Sequence, residues 1–191
     1  MHIGVFLSAG EPDELCTRPT REFGDMIGRA GHTLVWGGSD TGLMKVVADA
    51  VQASGGRLVG VSVGFLRKWA RKDADDMTFA EDLAERKARL LALSDALVVL
   101  PGGVGTLDET TEVLELKKHG LHDKPVVLLN TDGFYDGLIL QLRRMDDEGL
   151  LPAPLAELVF VADTAADALA HLERSVGTDD GTGTPTVRHT A

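Results

Sequence analysis

Short apolar runs separated by longer stretches of mixed character set the rhythm of this chain. Ile3–Leu7, Thr33–Trp36, Leu58–Ser62, Ala96–Leu100, Val126–Leu129 and Leu158–Val161 are nearly continuous in Val, Leu and Ile. A strand with one wet face alternates, whereas a strand covered on both faces does not, so these runs read as strands of a parallel sheet. Between them, Glu14–Arg29, Gly42–Ser54, Leu83–Ser94, Leu107–His119, Tyr135–Glu148 and Thr164–Arg174 are amphipathic and read as helices. Strands alternating with helices imply βαβ units with right-handed crossovers, and hence a doubly wound α/β fold. With no linker and no internal repeat, one domain over residues 1–176 is expected.

Turn chemistry places the boundaries. Gly31, Gly55-Gly56 and Gly149 stand just past predicted helix ends, and Asp163-Thr164 offers N-caps for the last helix. The least regular segment, Phe65 to Glu81, carries Arg67, Lys68, Arg71 and Lys72, then Asp73, Asp75 and Asp76. It reads as a short helix and a loop, with room for a short strand near Met77-Thr78-Phe79. From Gly177 onward a Gly/Thr/Asp-rich stretch lacks apolar periodicity, which predicts a disordered tail over 177–191.

A length of 191 residues with 43% hydrophobic and 26% charged residues suits a globular protein with a sizeable core. The formal net charge of −11 argues against a general affinity for nucleic-acid backbones or anionic membranes, while leaving room for a local basic pocket. One cysteine, Cys16, excludes an intrachain disulfide and fits a reducing compartment; it reads as a helix-face residue rather than a nucleophile. The apolar start is short, without preceding basic residues, and reads as a strand rather than a signal peptide. With no run long enough to span a bilayer, a cytoplasmic protein is expected.

The candidate chemistry lies in glycine turns. Pro101-Gly102-Gly103-Val104-Gly105-Thr106-Leu107-Asp108-Glu109 follows the run Ala96–Leu100 and leads into a helix. Glycines let backbone N–H groups approach an anion, and the helix start and its dipole favour negative charge, so the turn reads as a phosphate cradle. A ligand-free reading exists: Thr106 with Glu109 three residues on is a capping box. It leaves the upstream glycines unexplained. The turn is neither a Walker A motif nor the dinucleotide fingerprint, because no Gly-Lys-Ser/Thr follows and Asp108 holds the third glycine position. A second turn, Trp36-Gly37-Gly38-Ser39-Asp40-Thr41-Gly42-Leu43-Met44, has the same strand–glycine–helix logic. Alone it is an ordinary βα connection; in a parallel sheet it would share an edge with the first.

Arg86-Lys87 lies in the helix before the cradle strand. Charged helix residues are usually solvated, yet Arg suits bidentate contacts to phosphates or carboxylates. The six histidines show no metal-ligand spacing, and His119 and His122 read as helix-end residues. Trp36 and Trp69 read as core in preference to a base-stacking wall.

Gly37-Gly38 through Gly42-Leu43-Met44, then Arg86-Lys87, then Pro101-Gly-Gly-Val-Gly-Thr-Leu-Asp-Glu109 together resemble the Lonely Guy family. Its members are cytokinin riboside 5′-monophosphate phosphoribohydrolases, often mislabelled lysine decarboxylases. The resemblance runs from about Ile3 to the last helix and includes Ser94-Asp95-Ala96, His122-Asp123-Lys124-Pro125 and Leu129-Asn130. It implies a Rossmann-like fold, a homodimer or higher homo-oligomer, and hydrolysis of the N-glycosidic bond of a nucleoside 5′-monophosphate. AMP or an N6-modified AMP would give a free base and ribose 5-phosphate, with no metal or redox cofactor. Carried onto this chain, Arg86 and Glu109 match the catalytic pair. Gly102, Gly103, Gly105 and Thr106 would bind the 5′-phosphate, while Gly38, Gly42, Leu43, Met44 and Lys87 would line the nucleotide pocket.

The chain departs from the family pattern at Ser39 and Lys45, where glycines are usual, at Leu7-Ser8-Ala9-Gly10, and at Gly60-Val61-Ser62-Val63. The bond-breaking chemistry is therefore better supported than the choice of base. The rival reading is a non-catalytic binder of a phosphorylated ligand, such as a molybdenum-cofactor carrier or a nucleotide sensor; Arg86-Lys87 with Glu109 favours the enzyme. Nothing marks a pyridoxal-phosphate lysine, so lysine decarboxylation is disfavoured.

Overall fold

The computed structural model describes residues 1–10, 13–151 and 153–177. Among them, seven strands form one parallel sheet: β1 (His2–Phe6), β2 (Thr33–Trp36), β3 (Arg57–Val63), β4 (Asp76–Ala80), β5 (Ala96–Val99), β6 (Val126–Leu129) and β7 (Phe160–Ala162). Their order is β4-β3-β2-β1-β5-β6-β7. β1 is central, with Ile3 in register with Leu34 on one side and Ala96 on the other. The helices are α1 (Glu14–Arg29), α2 (Gly42–Ala53), α3 (Leu83–Leu93), α4 (Val104–Lys118), α5 (Asp136–Asp147), α6 (Leu155–Leu158) and α7 (Ala165–Gly177).

Alternation along each strand feeds two cores. Ile3, Val5, Leu34, Trp36, Leu58, Ala96, Val98 and Val127 pack against α1, α2 and α7. Phe6, Val35, Val59, Val61, Leu97, Val99, Val126 and Leu128 pack against α3, α4, α5 and α6. Both faces of the sheet are covered, which is why its strands read as unbroken apolar runs. Trp36 is wholly buried, as the core reading of that residue expects. No helix among the described residues is long and apolar enough to cross a membrane.

Three boundaries differ from expectation. The irregular segment holds a 3-10 turn, Gly64–Trp69, and a full edge strand, β4, paired with β3 through Val61 and Thr78. The last strand begins at Phe160 rather than Leu158, because residues 155–158 close a helical turn that buries Leu158. α4 begins at Val104, three residues before the predicted start. The tail expected over 177–191 lies outside the described residues beyond Gly177, which ends α7.

Because every pairing is parallel, the carboxyl ends of all strands lie along one edge. The chain reverses direction across the sheet between β1 and β5, and ligands of open α/β sheets bind at such a switch point. The loops after β1, β2 and β5 meet there.

Candidate active site

The two glycine turns look alike in sequence and differ in structure. At the second, Gly42 opens α2 at φ +55, and a Cβ there would collide with the carbonyls of Ala9 and Gly10. This close approach consumes the helix start. Leu43 N–H donates to Gly10 O at 3.2 Å and Met44 N–H to Ser8 O at 3.2 Å. The turn therefore binds the loop after β1 rather than a free anion.

At the first turn, Gly103 is the N-cap of α4 and no side chain caps it. The first helical bond is Leu107 N–H to Gly103 O at 3.0 Å, so the N–H groups of Val104, Gly105 and Thr106 precede it. Thr106 is therefore not the N-cap of a capping box. It lies inside the helix, 4% exposed, with its side chain folded over Gly102. A Cβ at residue 102 would collide with Thr106 Oγ1 and Cβ. The strand end feeding the turn is anchored by Tyr135, whose buried hydroxyl donates to Leu100 O at 2.7 Å. Pro101 O accepts from Ser8 N–H at 3.3 Å. The result is an uncapped helix start with a positive dipole end, held against the β1 loop. Gly102→Ala should displace this start and weaken anion binding there about tenfold or more. Calorimetric titration with inorganic phosphate checks this.

Arg86 and Glu109 stand one turn deeper. Arg86 is 8% exposed and Glu109 6%. Arg86 Nη1 donates to Glu109 Oε1 at 2.7 Å, and Arg86 Nε donates to Val61 O at 3.0 Å. The guanidinium lies against Gly37, where a Cβ would collide with Nη2. α3, β3, the β2 turn and α4 thus converge on one ion pair. Burial, the larger cause, pushes the Glu109 carboxyl above the usual glutamate range, and Arg86 opposes that shift by its charge and hydrogen bond.

Beside the pair opens a pocket of about 240 Å³ lined by Ala9, Gly37, Ser39, Thr41, Met44, Ser62, Leu66, Trp69 and Arg86. Trp69 is 42% exposed and lines this pocket, so the core reading of that residue is corrected. Leu66 and Trp69 sit on the 3-10 turn. That turn is tied to the β2 turn by Arg71 N–H to Gly38 O and Asp40 N–H to Trp69 O, both 2.8 Å. Sequence reasoning passed over Arg71. Its buried guanidinium meets Asp49 at 2.6 Å, Asp40 at 3.3 Å and Gln52 at 2.7 Å, bracing both walls from behind. Only its place in a charge run marked it.

Two pocket assignments do not hold for side chains. Leu43, 1% exposed, belongs to the core, because the N–H bond to Gly10 turns its side chain inward. Lys87 bonds Asp108 at 2.9 Å and also pairs with Glu112, so its charge clasps α3 to α4. Met44 does line the pocket, whereas Gly38 backs onto Met77 and Gly42 onto the β1 loop. Of the family departures, Ala9, Ser39 and Ser62 line the pocket, while Lys45 pairs with Asp49 at 2.7 Å outside it.

A family model described as possible lysine decarboxylase matches residues 44–172. The cytokinin riboside 5′-monophosphate phosphoribohydrolase of Mycobacterium tuberculosis is 38% identical over 169 residues, 87% of this chain and 90% of that protein. The protein of the same name from Mycobacterium marinum is 40% identical over 148 residues, 76% of this chain and 79% of that one. Among solved structures, the molybdenum-cofactor carrier protein of Chlamydomonas reinhardtii superposes with a TM-score of 0.70 at 25% identity, covering 93% of this chain and 98% of that one.

Proposed function

The chain belongs to the Lonely Guy family, whose curated relatives are named phosphoribohydrolases, and from that premise we propose that it hydrolyses the N-glycosidic bond of AMP or an N6-modified AMP. The observation that carries the reading is the buried Arg86–Glu109 pair between an uncapped helix start and an apolar pocket.

The 5′-phosphate lies on the N–H groups of Val104, Gly105 and Thr106, and the base enters the pocket beside Trp69. The ribose carbon C1′ then spans the distance between them, at Glu109. The transition state is oxocarbenium-like, and the Glu109 carboxylate stabilises the positive ribose electrostatically or takes a proton from the attacking water. The bond from C1′ to the base nitrogen breaks as the water oxygen bonds C1′; the electron pair leaves with the base, which takes up one proton. Arg86 holds Glu109 in place and supports negative charge on the departing nitrogen. Phosphate binding remote from the reacting bond orients the nucleotide.

The protein acts in the cytoplasm as a homodimer or higher homo-oligomer. Val104 and Leu107, 85% and 42% exposed at the start of α4, support an apolar contact between copies.

The test is ribose 5-phosphate release from AMP, N6-isopentenyl-AMP, GMP and CMP. Release from the adenine nucleotides is expected. Tight nucleotide binding with no release from any of them would replace this reading with that of a carrier or sensor.

A further inference from the structure

Ser62 places a hydroxyl on the wall of the pocket. It stands near the end of β3, 2% exposed, on the face that Leu58 and Gly60 share by two-residue alternation. It lines the pocket, and its hydroxyl makes no hydrogen bond to any described residue. A hydroxyl that faces an apolar pocket and bonds none of the described residues is available to a ligand.

A second hydroxyl on the same pocket belongs to a short hydrogen-bonded chain. Thr41 Oγ1 donates its single proton to Ala9 O at 3.2 Å. With the Thr41 proton on Ala9 O, the contact between Ser39 Oγ and Thr41 Oγ1 at 2.9 Å uses the Ser39 proton. In that arrangement Ser39 faces the pocket with lone pairs only. The remaining lining, Ala9, Gly37, Met44, Leu66 and Trp69, is apolar apart from Arg86. A few polar groups in an apolar pocket are what fix the orientation and identity of a ligand.

We propose that Ser62 is a specificity-determining residue whose hydroxyl bonds the polar edge of the base, beside an acceptor-only Ser39 that selects a 6-amino over a 6-oxo purine. The inference rests on the placement of the base in this pocket. The amino group of adenine offers N–H donors to Ser39, whereas the 6-oxo group of inosine monophosphate sets an acceptor against its lone pairs. Ser62 can rotate to donate to an unprotonated ring nitrogen.

The experiment combines calorimetric affinity with thermal melting and turnover. Affinities are measured in the Glu109→Gln protein, so they can be read whether or not the native protein hydrolyses AMP. Ser62→Ala is expected to weaken AMP binding about tenfold and, because its hydroxyl bonds none of the described residues, to leave the melting temperature no lower. Ser62→Thr, which keeps the hydroxyl on a strand, is expected to restore most of the affinity. Ser39→Ala is expected to reduce the preference for AMP over inosine monophosphate about tenfold. In the otherwise native chain, Ser62→Ala should raise KM more than it lowers kcat. AMP affinity unchanged in Ser62→Ala, a lowered melting temperature in that variant, an unchanged preference in Ser39→Ala, or no AMP binding at all would each overturn the proposal. Native protein that binds AMP but releases no ribose 5-phosphate would instead overturn the hydrolase reading, with the Ser62 affinities still deciding this one.

Discussion

Glu109→Gln is expected to lower the rate of ribose 5-phosphate release by about 10²–10⁴-fold, the range that a positioned general base supplies. The substitution keeps the size of the side chain and an acceptor oxygen for Arg86 Nη1, now 2.7 Å from Oε1. It removes the charge opposite the developing oxocarbenium ion and the site that takes the proton from water. Affinity for AMP should change far less than the rate, because in the proposed mode the phosphate is bound by backbone N–H groups and the base by the pocket lining, not by Glu109. Single-turnover release assays beside calorimetric titration check this. A variant that retains near-native release would remove Glu109 from its assigned role.

The same residue sets the pH dependence. The base works when ionised, and burial holds its pKa above the usual value of 4.5. The acid limb of the kcat/KM profile should therefore lie above the ordinary carboxylate range and should vanish in Glu109→Gln. Stability moves the opposite way. A group whose pKa is raised on folding contributes stability that is full below its unfolded pKa and lost as pH rises through the folded one. The melting temperature of Glu109→Gln relative to native should therefore become more favourable as pH climbs from below 4.5 through the raised value. A constant difference would place the carboxyl in a less desolvated setting than the structure shows.

What could be read without the structure follows from burial. β2 and β6 match their apolar runs residue for residue because both faces of the sheet are covered. β4, an edge strand only partly buried and carrying Asp76 and Thr78, has no such run and showed only as room for a strand. The start of α4 was hidden by helix propensity. Gly105 is a poor helix interior residue by about 1 kcal/mol, and Thr106 with Glu109 mimics a capping box, so the helix seemed to start later. Local pattern does not report that the β1 loop lies over α2 and takes up N–H groups of its first turn, while those of Val104, Gly105 and Thr106 in α4 meet no acceptor among the described residues. The pocket walls are non-local for the same reason: Ser62, Trp69 and Ser39 come from three elements joined by the 3-10 turn and by Arg71. Arg86 and Glu109, 23 positions apart, were paired only through the family resemblance, since periodicity alone would have left Arg86 in solvent.

Arg86→Met is expected to disable the enzyme by a route that pH can distinguish from loss of Glu109. Arg86 holds the Glu109 pKa down by charge and by hydrogen bond against the larger effect of burial. Without it the carboxyl climbs further, so a smaller share of it is ionised at a given pH and the base is weakened although the residue remains. Release at neutral pH should drop about 10²-fold or more and should partly recover as pH rises. Glu109→Gln has nothing to ionise and should not recover. Forcing Glu109 to ionise without its partner leaves a buried, uncompensated charge, a loss of about 3–5 kcal/mol in stability that should appear at high pH and shrink at low pH. Arg86→Lys should be intermediate, because a single ammonium cannot reproduce a fork that spans Val61 O and Glu109. In the double variant Arg86→Met/Glu109→Gln the buried charge is gone, so the added cost of the second substitution should be small and the effects on stability strongly non-additive. Additive effects, or a rate in Arg86→Met that stays flat with pH, would mean that the pair does not act as one unit.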